Sequence, residues 1–275
     1  MQTVLLLAIF VFLAACTTDE PRPTSDVRRP ASDVRRPASD DQRPSTVVMY
    51  QYEIVKRIPH DVTAFTQGLS VHDGVFIEST GQTGMSSVRR VDMKTGKVLK
   101  KTDLNAQVFG EGSTVYNNKV YVLSWLNQTG FIFDAQTLAQ TGTFSYAGEG
   151  WGLTTDGTVM YMSNGTNLIA VRDPSDMHML RSFTVTQDGS GVRELNELEW
   201  VDGEIWANVW RTEKIVRIDP ATGNVTGVID LTGILPDSER PANADVLNGI
   251  AYDPTTKAIY VTGKNWPWIY HIAVK

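Results

Sequence analysis

Phe109-Gly110-Glu111-Gly112-Ser113 decides the fold once it is set beside four other stretches: Phe65-Thr66-Gln67-Gly68-Leu69, Gly148-Glu149-Gly150-Trp151-Gly152-Leu153, Leu195-Asn196-Glu197-Leu198-Glu199 and Leu247-Asn248-Gly249-Ile250. Aligned on Gln67, Glu111, Trp151, Glu197 and Asn248, the copies stand 44, 40, 46 and 51 residues apart. Each leads into a short apolar run, a polar turn and an alternating strand. The turns are His72-Asp73-Gly74, Asn117-Asn118-Lys119, Thr155-Asp156-Gly157, Asp202-Gly203 and Asp253-Pro254-Thr255. A period in the forties with several short strands per unit marks a β-propeller, one blade per repeat.

A third strand is expected in every repeat, at Ser87–Asp92, Gly130–Asp134, Asn167–Asp173, Lys214–Asp219 and Trp268–Ala273. The first four repeats then turn through three residues, Lys94-Thr95-Gly96, Ala135-Gln136-Thr137, Asp173-Pro174-Ser175 and Ala221-Thr222-Gly223, into a fourth strand. Those strands are Lys97–Asp103, Gln140–Tyr146, Leu180–Thr186 and Asn224–Leu231. The fifth repeat stops at Lys275, one strand short. Tyr50–Ile58 reads as a strand with no blade of its own, so it is expected to pair with Trp268–Ala273 and close the ring. Closure removes the open sheet edge that would otherwise invite pairing with other chains. The expectation is an all-β, five-bladed β-propeller over residues 47–275, its N-terminal strand closing the last blade.

The residues before this domain read as an address and a tether. Val4–Ala15 is an apolar run of twelve, the length of a signal-peptide core and too short to span a bilayer. It ends in Leu13-Ala14-Ala15-Cys16, and Cys16 is the single cysteine of the chain. This resembles the lipobox of bacterial lipoproteins, whose Cys carries the lipid; residues 1–16 are expected to be a lipoprotein signal. Met1-Gln2-Thr3 departs from that pattern in having no basic residue. Thr17 after the cysteine, in place of Asp, points by the same resemblance to an outer-membrane anchor facing the periplasm. Residues 17–46 contain Ser25-Asp26-Val27-Arg28-Arg29-Pro30-Ala31, repeated as Ser32-Asp33-Val34-Arg35-Arg36-Pro37-Ala38. One Val and one Pro per seven residues cannot make a helical seam. The segment is expected to be a disordered linker reaching on the order of 30 Å.

Charge narrows the partners. The chain carries a net charge of −6, and the segment before residue 46 is balanced, with six Arg against six Asp and Glu. The whole excess is therefore acidic and lies on the propeller, which disfavours a nucleic-acid phosphate backbone. His60, His72, His178 and His271 show no metal-ligand spacing.

Chemistry is expected where the repeats converge. The aligned positions open the innermost strand of each blade, so Gln67, Glu111, Trp151, Asn196 and Asn248 should ring one mouth of the central channel. Trp125, Trp210 and Lys264 follow at or just after the second strands. Aromatic walls with few polar groups are the usual make-up of a small-ligand pocket.

These stretches, in this order and at this spacing, resemble the plant and bacterial type of glutaminyl-peptide cyclotransferase, the glutamine cyclotransferase family. The resemblance runs from Tyr50 to Lys275 and includes Ile205-Trp206-Ala207-Asn208-Val209-Trp210 and Thr262-Gly263-Lys264-Asn265-Trp266-Pro267. It implies an acyltransferase of the aminoacyl class that cyclises the N-terminal glutamine of peptides or proteins to pyroglutamate with release of ammonia. It places the catalytic acid–base on Glu111. Substrate contacts fall on Phe65, Gln67, Phe109, Trp125, Trp151, Asn196, Trp210 and Lys264. Asn164, in Ser163-Asn164-Gly165-Thr166, stands where the family pattern has Asp. No cofactor or metal is implied, and a monomer is expected. Glu149, Glu197 and Glu199 compete for the acid–base role but suit hydrogen bonds between blades or at strand ends. Two other readings stay open: a non-catalytic envelope propeller lipoprotein, acting as scaffold or peptide-binding module, and a metal-dependent propeller hydrolase.

Overall fold

The computed structural model describes residues 47–275, so the expectations for the leader, Cys16 and the linker lie outside the described residues. Two strands precede the first repeat, β1 (Val48–Tyr50) and β2 (Tyr52–Pro59). The first blade is β3 (Thr66–His72), β4 (Val75–Thr80), β5 (Ser87–Asp92) and β6 (Val98–Asp103). The second is β7 (Gly110–Tyr116), β8 (Lys119–Ser124), β9 (Thr129–Asp134) and β10 (Gln140–Ser145). The third is β11 (Leu153–Thr155), β12 (Met160–Met162), β13 (Leu168–Arg172) and β14 (Met179–Thr184). A two-strand hairpin follows, β15 (Thr186–Gln187) and β16 (Ser190–Gly191), turning at Asp188-Gly189. The fourth blade is β17 (Leu195–Val201), β18 (Glu204–Val209), β19 (Lys214–Ile218) and β20 (Val225–Asp230). The fifth has β21 (Leu247–Asp253), β22 (Ala258–Gly263) and β23 (Trp268–Val274), with β2 as its outer strand.

The expected closure occurs, with one correction. β2 pairs antiparallel with β23, Tyr52 opposite Val274 and Ile58 opposite Ile269. Tyr50 does not belong to that strand. The chain breaks its extended run at Gln51, and Val48–Tyr50 pairs parallel with β20 at the outer edge of the fourth blade. The two short strands thus serve neighbouring blades. Gln51 is anchored by reciprocal backbone hydrogen bonds with Lys275, at 2.9 and 2.8 Å. His60 secures the same seam from inside: its ring bonds the Trp266 carbonyl and the Glu78 carboxylate, each at 2.8 Å. Both partners accept, so both ring nitrogens carry protons. Burial pulls the imidazole pKa down, but the Glu78 charge and the hydrogen bonds to Glu78 and the Trp266 carbonyl together outweigh it, and the net shift is upward.

The alternating strands place one apolar cluster at each of the five blade-to-blade junctions. Phe76, Ile58 and Ile269 lie between the fifth and first blades, and Ile205, Val216 and Ile169 between the third and fourth. Trp206 and Trp266 are buried in the junction between the fourth and fifth. Toward the axis the inner strands come close enough to hydrogen bond. Gly112 N–H donates to the Trp151 carbonyl at 2.7 Å, and a Cβ at Gly112 would lie 2.5 Å from that oxygen. The glycine after Glu111 is therefore required by the approach of the next blade. Glu197 bridges in another way, accepting from Leu69 N–H at 3.2 Å and Ile250 N–H at 2.9 Å.

Candidate active site

Antiparallel pairing puts the start of each inner strand beside the end of the second strand. Both ends therefore open on the same rim. The residue before the inner strand is clasped to the residue after the second strand by a backbone bond: Gly81 N–H to Phe65 O at 2.8 Å, Trp125 N–H to Phe109 O at 3.0 Å, and Trp210 N–H to Glu194 O at 2.8 Å. In the fifth blade Lys264 N–H donates to Val246 O at 2.9 Å. Inner-strand register shifts just inside this rim, between Thr66 and Gly68, Gly110 and Ser113, Leu195 and Leu198, and Leu247 and Ile250. Such bulges turn side chains out of the regular alternation. Here they fall at Gln67, Glu111 and Asn196.

These side chains enclose a slot of about 160 Å³ with Phe65, Phe109, Trp125, Trp151, Trp210 and Lys264. That is below the ~300–1,000 Å³ of drug-sized sites and suits a single residue. The nine side chains on which the resemblance places catalysis and substrate contact all border it. Asn248 does not. It is fully buried behind the slot, donating to Thr66 O at 3.0 Å and Gln67 Oε1 at 3.1 Å, so it holds Gln67 in place. Asp245, on the loop before β21, also borders the slot. No repeat-aligned signal marks it, because it precedes the repeat position in only one long connection.

The walls are aromatic and packed edge to face. Phe65 and Phe109 are 6.0 Å apart, Phe109 and Trp125 5.8 Å, and Trp151 and Trp210 5.4 Å. Gly165 makes room for Trp151: its φ is +76°, and a Cβ there would lie 2.7 Å from the indole ring. Asn164 accepts from the N–H and hydroxyl of Thr166, a local turn outside the slot lining. Glu149 Oε2 accepts the indole N–H groups of both Trp125 and Trp151, at 2.7 and 2.9 Å.

Glu111 is 5% exposed, and among the described residues its carboxyl makes no side-chain hydrogen bond or ion pair. Burial pushes it well above the usual carboxylate range; the charge of Lys264 partly offsets this, and that of Glu149 adds to it. Burial likewise lowers the Lys264 ammonium, against the pull of Glu111 and Asp245. Its Nζ sits 4.9 Å from the centroid of the Phe65 ring. Asn196 is 3% exposed and its Oδ1 lacks a partner. A buried acceptor of this kind is open to a hydrogen bond from a ligand or a water. Among the described residues no group of three or more His, Cys, Asp or Glu is arranged to hold a metal ion.

A five-bladed propeller whose rim closes an aromatic slot around one buried carboxyl has the make-up of a site for a single small group. The family model described as glutamine cyclotransferase matches residues 30–274, and the chain belongs to that family. The chain is 42% identical over 232 residues to the glutaminyl-peptide cyclotransferase of Arabidopsis thaliana, covering 82% of this chain and 72% of the relative. It is also similar to the crystal structure of Myxococcus xanthus glutaminyl cyclase, with TM-score 0.78 and 33% identity over 83% of this chain and 98% of that one.

Proposed function

We propose that this protein is a glutaminyl-peptide cyclotransferase, with Glu111 as its acid–base and the slot as the seat of an N-terminal glutamine. The observation that carries the residue assignment is the buried, unpartnered Glu111 carboxyl inside a one-residue aromatic slot. The membership of the chain in the glutamine cyclotransferase family supports the reaction.

The reaction needs a neutral α-amine, which attacks the substrate's own side-chain carboxamide. An α-ammonium has a pKa of about 7.7–8.0. A carboxyl held above the usual range can take that proton as the substrate binds, leaving a neutral amine beside a carboxylic acid. The amine nitrogen bonds to the amide carbon, and the carbonyl oxygen gains charge. Glu111 gives its proton to the departing nitrogen as the carbon–nitrogen bond breaks. It takes one from the newly bonded ring nitrogen and passes it to the freed ammonia, which leaves as ammonium, so Glu111 ends as the carboxylate that first took the proton of the α-ammonium. Because both reacting groups belong to one residue, holding them curled together supplies much of the rate. Lys264 and Gln67 are the donors that can meet the carbonyl oxygen. Asn196 Oδ1 suits an N–H of the substrate. The Phe and Trp walls exclude water.

The direct test is incubation with a peptide beginning in glutamine. Loss of one ammonia in mass, with ammonia released to solution, is expected; an unchanged peptide overturns the reading. As to location, the run Leu13-Ala14-Ala15-Cys16 supports a lipid anchor on Cys16 in a bacterial envelope, with the domain carried on the 17–46 segment as a monomer. Cys16→Ser should then move the protein from the membrane fraction to the soluble one, and unchanged partition would count against lipidation.

A further inference from the structure

The rim is not equally high all round. In the second, fourth and fifth blades the residue clasped after the second strand is Trp125, Trp210 or Lys264, and each walls the slot. In the first blade the same position is Gly81, clasped to Phe65 O at 2.8 Å. It raises no wall, and the space is so tight against Phe109 that a Cβ there would lie 2.5 Å from its ring. Beyond Gly81 lies a groove of about 520 Å³ that shares Phe65 and Asp245 with the slot.

The groove has a chemical bias. Its first-blade side is Gly81, Gln82 and Met85, the last 61% exposed. Its fifth-blade side includes Asn243, Asp245 and Asn265. Both Asn side chains donate to the Val62 carbonyl at 3.0 Å, which leaves their amide oxygens as acceptors. Asp245 is the one formally charged side chain of the lining, and its Oδ1 accepts from Val246 N–H at 2.8 Å. A wall of acceptors with one carboxylate and an exposed thioether suits a cation on an aliphatic stem. A second depression flanks Asp245 on the other side, lined by Arg211 and Arg240. Those cations are engaged: Arg211 lies 4.1 Å from the Trp210 ring centroid, and Arg240 is 3.2 Å from Glu213.

We propose that the chain following the substrate's N-terminal glutamine leaves the slot over Gly81 into this groove, and that Asp245 favours lysine or arginine directly after the glutamine. The inference rests on the glutamine-cyclising reading of the slot. A cation at that position lies against Asp245 and the stem of Met85; an acidic residue there meets the like charge of Asp245 and no cation of the groove lining.

The test compares kcat/KM for Gln-Lys-Ala and Gln-Glu-Ala peptides at low salt. The lysine peptide should be favoured by roughly three- to five-fold, the size of one partly exposed ion pair, and the ratio should shrink as salt is added. Asp245→Asn should bring the ratio close to one. Met85→Lys, which adds a cation to the facing wall outside the slot, should push it below one. Equal rates on the two peptides, or a ratio unmoved by both substitutions, overturn the inference alone. Failure to cyclise either peptide overturns the cyclotransferase reading and the inference together.

Discussion

The indole N–H of Trp125 donates to Glu149 Oε2 at 2.7 Å, across the junction between the second and third blades. The same oxygen receives Trp151 at 2.9 Å, so one carboxylate fixes two walls of the slot. Its charge also helps to raise the Glu111 carboxyl above the usual carboxylate range. Glu149→Ala should therefore free both rings and raise KM by roughly ten-fold, as expected for loss of hydrogen bonds to a charged group. Glu149→Gln keeps an acceptor and should restore most of KM. Both variants remove the charge and should shift the acid limb of the pH–rate profile to lower pH. A profile unmoved in both would show that Glu149 acts on the walls alone.

Glu111 is the buried carboxyl that borders the slot, whereas Glu197 is fully used in bridging Leu69 and Ile250. Glu111→Gln retains shape but removes proton transfer. Its kcat should fall by ~10²–10⁴-fold with KM little changed. Glu197→Gln should cost stability more than kcat. Steady-state kinetics with a fluorogenic or ammonia-coupled assay decides, and the opposite ordering would move the acid–base role to Glu197.

Glu199 gives the fold a pH dependence of its own. Burial raises its carboxyl to about 8, against the hydrogen bonds from the Tyr252 and Trp200 backbone. The folded chain thus holds a proton that the unfolded chain, at about 4.5, has released. Stability should fall as pH rises through that window, by about 1.4 kcal/mol per pH unit for this group. Glu197, raised in the same direction, adds to the slope. Urea midpoints at pH 5 and pH 8 should differ less in Glu199→Gln than in the parent. An identical difference would show that Glu199 titrates alike in both states.

The N-terminal strands separate two contributions to closure. Deletion through Gln51 removes β1 from the outer edge of the fourth blade and should lower Tm by a few degrees, leaving a cooperative transition. Deletion through Pro59 also removes β2 and leaves β23 as an unpaired edge. That variant should lose the cooperative melt when followed by circular dichroism. A cooperative melt in the shorter protein would show that the ring holds without its closing strand.

The repeats alone determined the number of blades, the innermost strand of each and the rim on which side chains converge. A propeller repeats one local pattern, and hairpin geometry fixes which strand ends lie together, so periodic residues such as Glu111, Trp125 and Lys264 can be placed by offset. Contacts without a fixed offset needed the tertiary structure. The break at Gln51, which sends Tyr50 to the fourth blade, depends on pairing with Ile229 far along the chain. Asn248 shares its repeat position with Gln67 yet lies behind it, because the two side chains bond to each other and only one can reach the slot. Asp245 reaches the rim from a long connection that no other blade repeats. The raised pKa of Glu111 depends on how far burial outweighs Lys264, a balance of desolvation and distance that exists only once five blades have closed around it.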